Sequence, residues 1–244
     1  MPPTIYVHLL PELASEETLA GSTAVVIDVL RATTTIVHML AAGADHVSPC
    51  ISIEDAKEKA SLIDGALLGG ERGGVRIDGF DLGNSPTEYS RDIVAGHPVI
   101  FTTTNGTKAM QRCQRASRIL IGAFVNLSAV CRELSDAENV HLVCAGTAGE
   151  VTREDVLLAG AIVDLMTATG QWEVNDAAQI AADAWRTAQE NLVAVPLVER
   201  LQKSRGGRNV LAIGLENDIQ IAATLDKFDL VPELDAESWE IRLR

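Results

Sequence analysis

The chain is poor in several things at once. Aromatic residues make up 4% of its 244 residues, and 20 basic residues stand against 34 acidic ones, for a net charge of −14. Binding a phosphate backbone needs a basic surface, so no nucleic-acid partner is expected. The four cysteines (Cys50, Cys113, Cys131 and Cys144) form no CxxC pair, which suggests neither a zinc site nor a disulfide framework. No apolar run reaches the ~18 residues of a membrane span. The opening MPPTIYVHLLPEL has neither the basic nor the long apolar region of a signal peptide. The chain therefore reads as soluble and cytoplasmic, with no membrane partner. The Asn-x-Ser/Thr triplets at Asn105 and Asn126 are accordingly not expected to carry glycan.

Several chemistries are missing too. There is no GxxxxGK[ST] for a nucleotide-hydrolysing P-loop, no GxGxxG after a strand, no HExxH and no GxSxG. Two residues after Asp28 stands Leu30, where haloacid-dehalogenase phosphatases carry a second Asp. Cys113 does not head the Cys-x5-Arg loop of a tyrosine phosphatase. The five histidines are scattered, and His38 lies in an apolar helical stretch where a structural role is expected.

What is present is ordinary globular material: 47% hydrophobic and 22% charged residues, enough chain to bury a large core. Short apolar runs rich in β-branched residues predict strands over 4–9, 23–29, 46–50, 65–68, 98–102, 118–121 and 140–144. Amphipathic stretches predict helices over 33–42, 53–64, 106–114 and 127–135, with Ser52 and Asp55 as a capping arrangement. After about residue 150 the pattern is more helical, over 153–168, 175–189, 195–203 and 217–224, closing on strands at 230–231 and 239–243. Strands alternating with helices indicate an α/β fold with a mixed, largely parallel sheet. No linker interrupts residues 1–244, so a single domain is expected.

Three strand ends carry similar chemistry: VVIDVLRATTT, PVIFTTTNGTK and VHLVCAGTAGEVTREDV. In each, an apolar run gives way to hydroxyls, glycine or charge where the next helix begins. Ligands of open α/β sheets collect there. Hydroxyls, amides and free N–H groups at Thr33, Thr34, Thr104, Asn105, Gly106 and Thr107 would cradle the oxygens of a small anion. A glycine-rich segment, 69–86, adds Glu71, Arg72, Arg76, Asp78 and Asp81, and oxygen donors of this kind suit magnesium. Taken singly, each feature has an ordinary role: Asp28 could cap a helix, and Asn105-Gly106 is a common turn pair. Their combination is what points to a site.

Together, VVIDVLRATTT, GGERGGVRIDGFDLGNSPTEY, TTTNGT, CAGTAGEVTREDVLLAG and the C-terminal GLENDI resemble the 2-phosphosulfolactate phosphatase family. The resemblance implies a three-layer α/β/α sandwich, usually oligomeric, here a homodimer. It also implies magnesium-dependent hydrolysis of (2R)-2-phospho-3-sulfolactate, a small anionic phosphomonoester, to 3-sulfolactate and phosphate, as in coenzyme M biosynthesis. On this reading Asp28 and Asp81 are the candidate catalytic carboxylates, and Asp28, Glu71 and Asp155 the candidate metal ligands. Whether Asp28 holds the ion or attacks phosphorus is left open. Substrate would be held by Arg31, Thr33, Thr34, Arg72, Asn84, Ser85 and the run Thr104, Asn105, Gly106 and Thr107. Arg31 and Arg72 would serve carboxylate and sulfonate, with Arg76 and Lys108 as further cations. Arg205 and Arg208 flank a glycine pair that could close over the site. Two other readings remain: a phosphatase of the same fold acting on another phosphorylated hydroxy acid, and a non-catalytic small-anion-binding protein. The second gains nothing from Asp28 or Glu71.

Overall fold

Ala24 to Ile27 are all buried, because the strand they form lies deep in a sheet covered by helices on both faces. The computed structural model describes residues 2–190 and 195–243. Its strands are β1 (Thr4–His8), β2 (Thr23–Ile27), β3 (His46–Pro49), β4 (Leu67–Arg72), β5 (Val75–Arg76), β6 (Pro98–Thr102), β7 (Arg118–Gly122), β8 (Asn139–Cys144), β9 (Glu173–Val174), β10 (Pro232–Asp235) and β11 (Glu240–Leu243). In its first half the helices are α1 (Glu16–Leu19), α2 (Ala32–Ala41), α3 (Ile53–Ser61), α4 (Arg91–Val94), α5 (Gly106–Arg112) and α6 (Leu127–Glu133). Then follow α7 (Arg153–Thr169), α8 (Asp176–Glu190), α9 (Leu197–Gln202), α10 (Arg205–Ala212) and α11 (Glu216–Ala222). Among the described residues, no helix is long and apolar enough to cross a membrane.

The sheet order is β5-β4-β6-β3-β11-β10-β7-β2-β8-β1-β9. Strands β4, β6 and β3 form one parallel block; β7, β2, β8, β1 and β9 form another. The antiparallel hairpin β10–β11 joins them, and its pairings make the two blocks run in opposite senses. From β6 to β2 there are five steps, over which a twist of about 20–25° per strand accumulates to roughly 100°. The carboxyl ends of β6 and β2 meet, Gly106 at the start of α5 lying against Asp28.

Side chains alternate across β2. Ala24 and Val26 enter a core with α2 and α5, including Ile36, Met39 and Met110. Val25 and Ile27 enter a second core with Phe124, Leu157 and Trp185 beneath α7 and α8. The result is a three-layer α/β/α sandwich with a mixed, mostly parallel sheet. Ser52 accepts the Asp55 N–H at 2.9 Å, capping α3 as its sequence indicates.

The short α1, α4 and β9 were not anticipated by the sequence reading, and three further places depart from it. The last hairpin begins at Pro232, not at 230–231, because the buried Glu233 that disguises the strand is paired with Arg118 at 2.8 Å. The glycine-rich segment opens as the β4–β5 hairpin, turning at Gly73 and Gly74. The Gly206-Gly207 pair lies inside α10, whose start Ser204 caps by accepting the Gly207 N–H at 3.0 Å.

Candidate active site

The apolar run of β2 stops at Asp28 because the next five residues are built around its backbone and carboxyl. Its N–H donates to Thr33 Oγ1 at 3.1 Å, the Thr33 hydroxyl donates to its carbonyl at 2.9 Å, and the Ala32 N–H donates to Oδ1 at 3.3 Å. The carboxyl thus caps α2, and it also lines a cleft of about 460 Å³. Arg31, Glu71, Gly73, Gly74, Asn84, Thr103, Thr104 and Asn105 share that cleft. Thr147 and Ala148 add to the wall, and α10 closes it with Gly206, Asn209 and Val210.

Glu71, at the end of β4, accepts the Thr104 N–H at 2.8 Å and the Gly74 N–H at 2.7 Å. It therefore ties the β4–β5 turn to the start of α5. The side chains of Thr103 and Thr107 cap that start reciprocally, each accepting the other's N–H, at 3.2 and 3.3 Å. Arg31 is buried and donates to Asp218 Oδ2 at 2.8 Å and to the Gly74 carbonyl at 2.6 Å. The other Asp218 oxygen accepts from Ser85 at 2.6 Å. The GLENDI segment thus supplies the counter-charge that fixes Arg31, and the Leu30–Arg31 peptide bond is cis.

The structure brings Asp28, Arg31, Glu71, Asn84, Thr104 and Asn105 to one cleft, with Gly106 against Asp28. It places the others elsewhere. Thr33 and Thr34 are buried with their hydroxyls on the carbonyls of Asp28 and Val29, so they shape the β2–α2 turn. Asp81 is exposed outside the cleft and accepts the Leu68 N–H at 2.8 Å. Asp155 lies behind the strand end, its oxygens taken by Val29 N–H at 2.9 Å and by Gly146 N–H and the Thr152 hydroxyl at 3.0 Å. Ser85 serves Asp218, and Arg72 faces a neighbouring cavity with Thr107 and Lys108. Arg76 reaches back to the Asp81 carbonyl, Arg205 pairs with Glu150, and Arg208 donates to the Lys203 carbonyl.

Three residues escaped the sequence reading. Asn209 lines the cleft from a helix whose glycines resemble a loop. Asp218 and Glu154 lie inside motifs that were visible, but their partners are distant in sequence. Glu154 is buried at the start of α7 close against Gly206, and its Oε2 finds no partner among the described residues.

Burial dominates the electrostatics. It pushes the Asp28 carboxyl up to about 7, and nearby Glu71 and Glu154 push the same way against the Ala32 N–H and Arg31. Burial also raises Glu154, and it raises Asp155 well above the usual carboxylate range. An acid that titrates near neutrality can hold or release a proton, or receive a cation. Among the described residues no three His, Cys, Asp or Glu side chains form a ready metal cage. The cleft does offer two carboxylates, and Asn84 Oδ1 and Thr104 Oγ1 are buried without a partner among the described residues. Such a donor set fits a hard cation that completes its shell with water and substrate oxygens.

The family model of 2-phosphosulpholactate phosphatase matches residues 8–237. A Thermotoga maritima protein named "probable 2-phosphosulfolactate phosphatase" is 43% identical over 213 residues, covering 87% of this chain and 88% of the relative. A protein of the same name from Symbiobacterium thermophilum is 42% identical over 220 residues, 88% of this chain and 92% of its own. One from Clostridium perfringens is 38% identical over 235 residues, 94% of this chain and 92% of its own. With nearly the whole chain covered at these identities, the protein belongs to the 2-phosphosulpholactate phosphatase family.

Proposed function

We propose that this phosphatase hydrolyses (2R)-2-phospho-3-sulfolactate to 3-sulfolactate and phosphate with magnesium bound. The observation that carries the reading is the meeting of Asp28, Glu71 and Arg31 in one cleft of a chain whose relatives bear that name. Asp28 and Glu71 would hold the ion with the Asn84 amide oxygen. When bound, it would neutralise phosphate charge and polarise the P–O bond. Arg31, fixed by Asp218, presents its guanidinium to the anion. The Thr104 hydroxyl and the backbone around Asn105 and Gly106 would face the phosphate oxygens, with α10 as the opposite wall of the cleft. In the same reading the enzyme is a cytoplasmic homodimer serving coenzyme M biosynthesis.

Phosphate release from 2-phosphosulfolactate and from a panel of phosphomonoesters, with magnesium and with chelator, tests the reading. Turnover of 2-phosphosulfolactate that chelator abolishes is expected. Faster turnover of a different phosphorylated hydroxy acid would reassign the substrate, and binding without turnover would leave an anion-binding protein.

A further inference from the structure

The turn at 147–150 contributes Thr147 and Ala148 to the lining of the cleft. Its ends are bridged by the backbone: the Thr147 N–H donates to the Glu150 carbonyl at 2.9 Å, and the Glu150 N–H to the Thr147 carbonyl at 3.1 Å. Ala148 and Gly149 between them hold positive φ, 53° and 75°, as a two-residue hairpin turn of this kind needs. The base is fixed. The Gly146 N–H donates to Asp155, and a Cβ on Gly146 would stand 2.5 Å from Leu10 Cδ2 and 2.6 Å from the Glu150 carbonyl oxygen. The tip is not packed in this way, and Ala148, Gly149 and Glu150 are exposed. Two polar contacts tie it to the rest of the site among the described residues. The Ala148 N–H donates to Asn105 Oδ1 at 3.3 Å, and the Glu150 carboxylate pairs with Arg205 at the start of α10.

Arg205 stands where a helix disfavours a cation. It is the first residue of α10, at the positive end of the helix dipole, and no acidic residue stands in that first turn. Its counter-charge comes instead from Glu150, on the turn. The two side chains are 33% and 68% exposed, which makes the pair weak and sensitive to salt. We propose that Glu150 and Arg205 are positioning residues for the reaction: their pair holds the 147–150 turn against α10, so that Thr147 and Ala148 keep their place in the cleft wall when the anion enters. The inference rests on the phosphatase reading above and deepens it. A turn already held beside Asn105 need not be ordered anew at each binding event. Without the pair, that ordering is added to binding, and the loss falls on KM rather than on kcat.

Glu150→Gln and Arg205→Gln test it, alone, together and beside the exchange of Glu150→Arg with Arg205→Glu. Steady-state kinetics on 2-phosphosulfolactate should give each single variant a KM about two- to fivefold higher with kcat unchanged. The double glutamine variant should lose no more than either single one. The exchange, which also puts an acid at the helix start, should restore KM. Binding of inorganic phosphate, followed by calorimetry, should weaken and recover in the same pattern, and added salt should shrink the difference between wild type and Glu150→Gln. Arg205→Gln takes a cation away from the start of a helix, so its melting temperature should not fall; a fall would make the pair a prop of the fold and overturn the proposal. A lower KM in Glu150→Gln with a higher one in Arg205→Gln would mean that Arg205 serves the anion itself, and overturns it too. Additive losses, or unchanged KM and phosphate affinity, overturn the positioning role while leaving the phosphatase reading intact. The expected pattern of phosphate binding in a chain that hydrolyses no phosphomonoester would do the reverse.

Discussion

Gly106 and Asp28 meet across the two blocks of the sheet: a Cβ on Gly106 would stand 2.9 Å from Asp28 Oδ2 and 2.6 Å from the Ala32 Cβ. The requirement for glycine is therefore steric. Strand β6 delivers the start of α5 against the carboxyl that ends β2, and only a residue without a side chain lets the backbone come so close.

Gly106→Ala is expected to push α5 away from Asp28. The cost in stability should be about 1–3 kcal/mol, as for other overpacked sites. A displacement of about 1 Å at the reacting groups should lower kcat/KM by about a hundredfold. Urea unfolding and steady-state kinetics check the pair; an unchanged kcat/KM would show that the contact does not set the site.

Asp28→Asn separates stability from function. In the folded chain the Asp28 carboxyl titrates at about 7, whereas unfolded it titrates near the usual value of about 4. Through that window the fold keeps a proton the unfolded chain has lost, so this group's contribution to stability falls as pH rises and levels off above about 7. Asn keeps the shape and has no such loss. In chelator, the variant should match wild type near about pH 4 and exceed it by about 1–3 kcal/mol at about pH 8, while its turnover is abolished. Added magnesium should stabilise the wild type alone. A variant less stable at both pH values would mean the carboxylate is held by more than the structure shows.

How much of this was legible depends on whether a residue's partner is local. The buried runs of β2, β6 and β8 could be read because strands covered on both faces are apolar throughout. Asp28 was legible because a carboxylate ends such a run. Asp218 was not, since Arg31 lies 187 positions away and nothing local marks the pair. Glu71 and Asp81 share a segment without periodicity, so their sequence did not say which faces the cleft. The hairpin decides it: β4 carries Glu71 to Gly74 and Thr104, and Asp81 folds back on Leu68. Strand β10 was missed because the Pro232-Glu233 start looks like a turn until Arg118 pairs with the glutamate.

Glu71 and Asp155 should behave differently when replaced. Glu71→Gln keeps an acceptor toward Thr104 or Gly74 and removes a cleft charge, so it should raise the magnesium concentration needed for half-maximal activity by about tenfold or more with modest loss of stability. Asp155→Ala leaves the Val29 and Gly146 N–H groups buried and unpaired, at about 1–3 kcal/mol each, and should lower the unfolding midpoint without shifting magnesium dependence. Titrating activity and melting temperature against magnesium for both variants checks the contrast. A shifted magnesium requirement in Asp155→Ala would bring that residue into the metal site.

The roof of the cleft rests on Glu154 and Gly206. The buried Glu154 carboxyl sits where a Gly206 Cβ would have to go. Gly206→Ala should therefore force α10 away, at about 1–3 kcal/mol, and raise KM because Asn209 and Val210 move with it. Glu154→Ala should cost about as much by a different route, leaving a cavity beneath the start of α10. In the double variant the new methyl enters the space the carboxyl has vacated. The two losses should then fall short of their sum by at least about 1 kcal/mol, measured by urea unfolding of all four proteins. KM should recover part of the way in parallel, since the helix can settle back over the cleft. Additive losses with no recovery of KM would mean that α10 is positioned by something other than this contact.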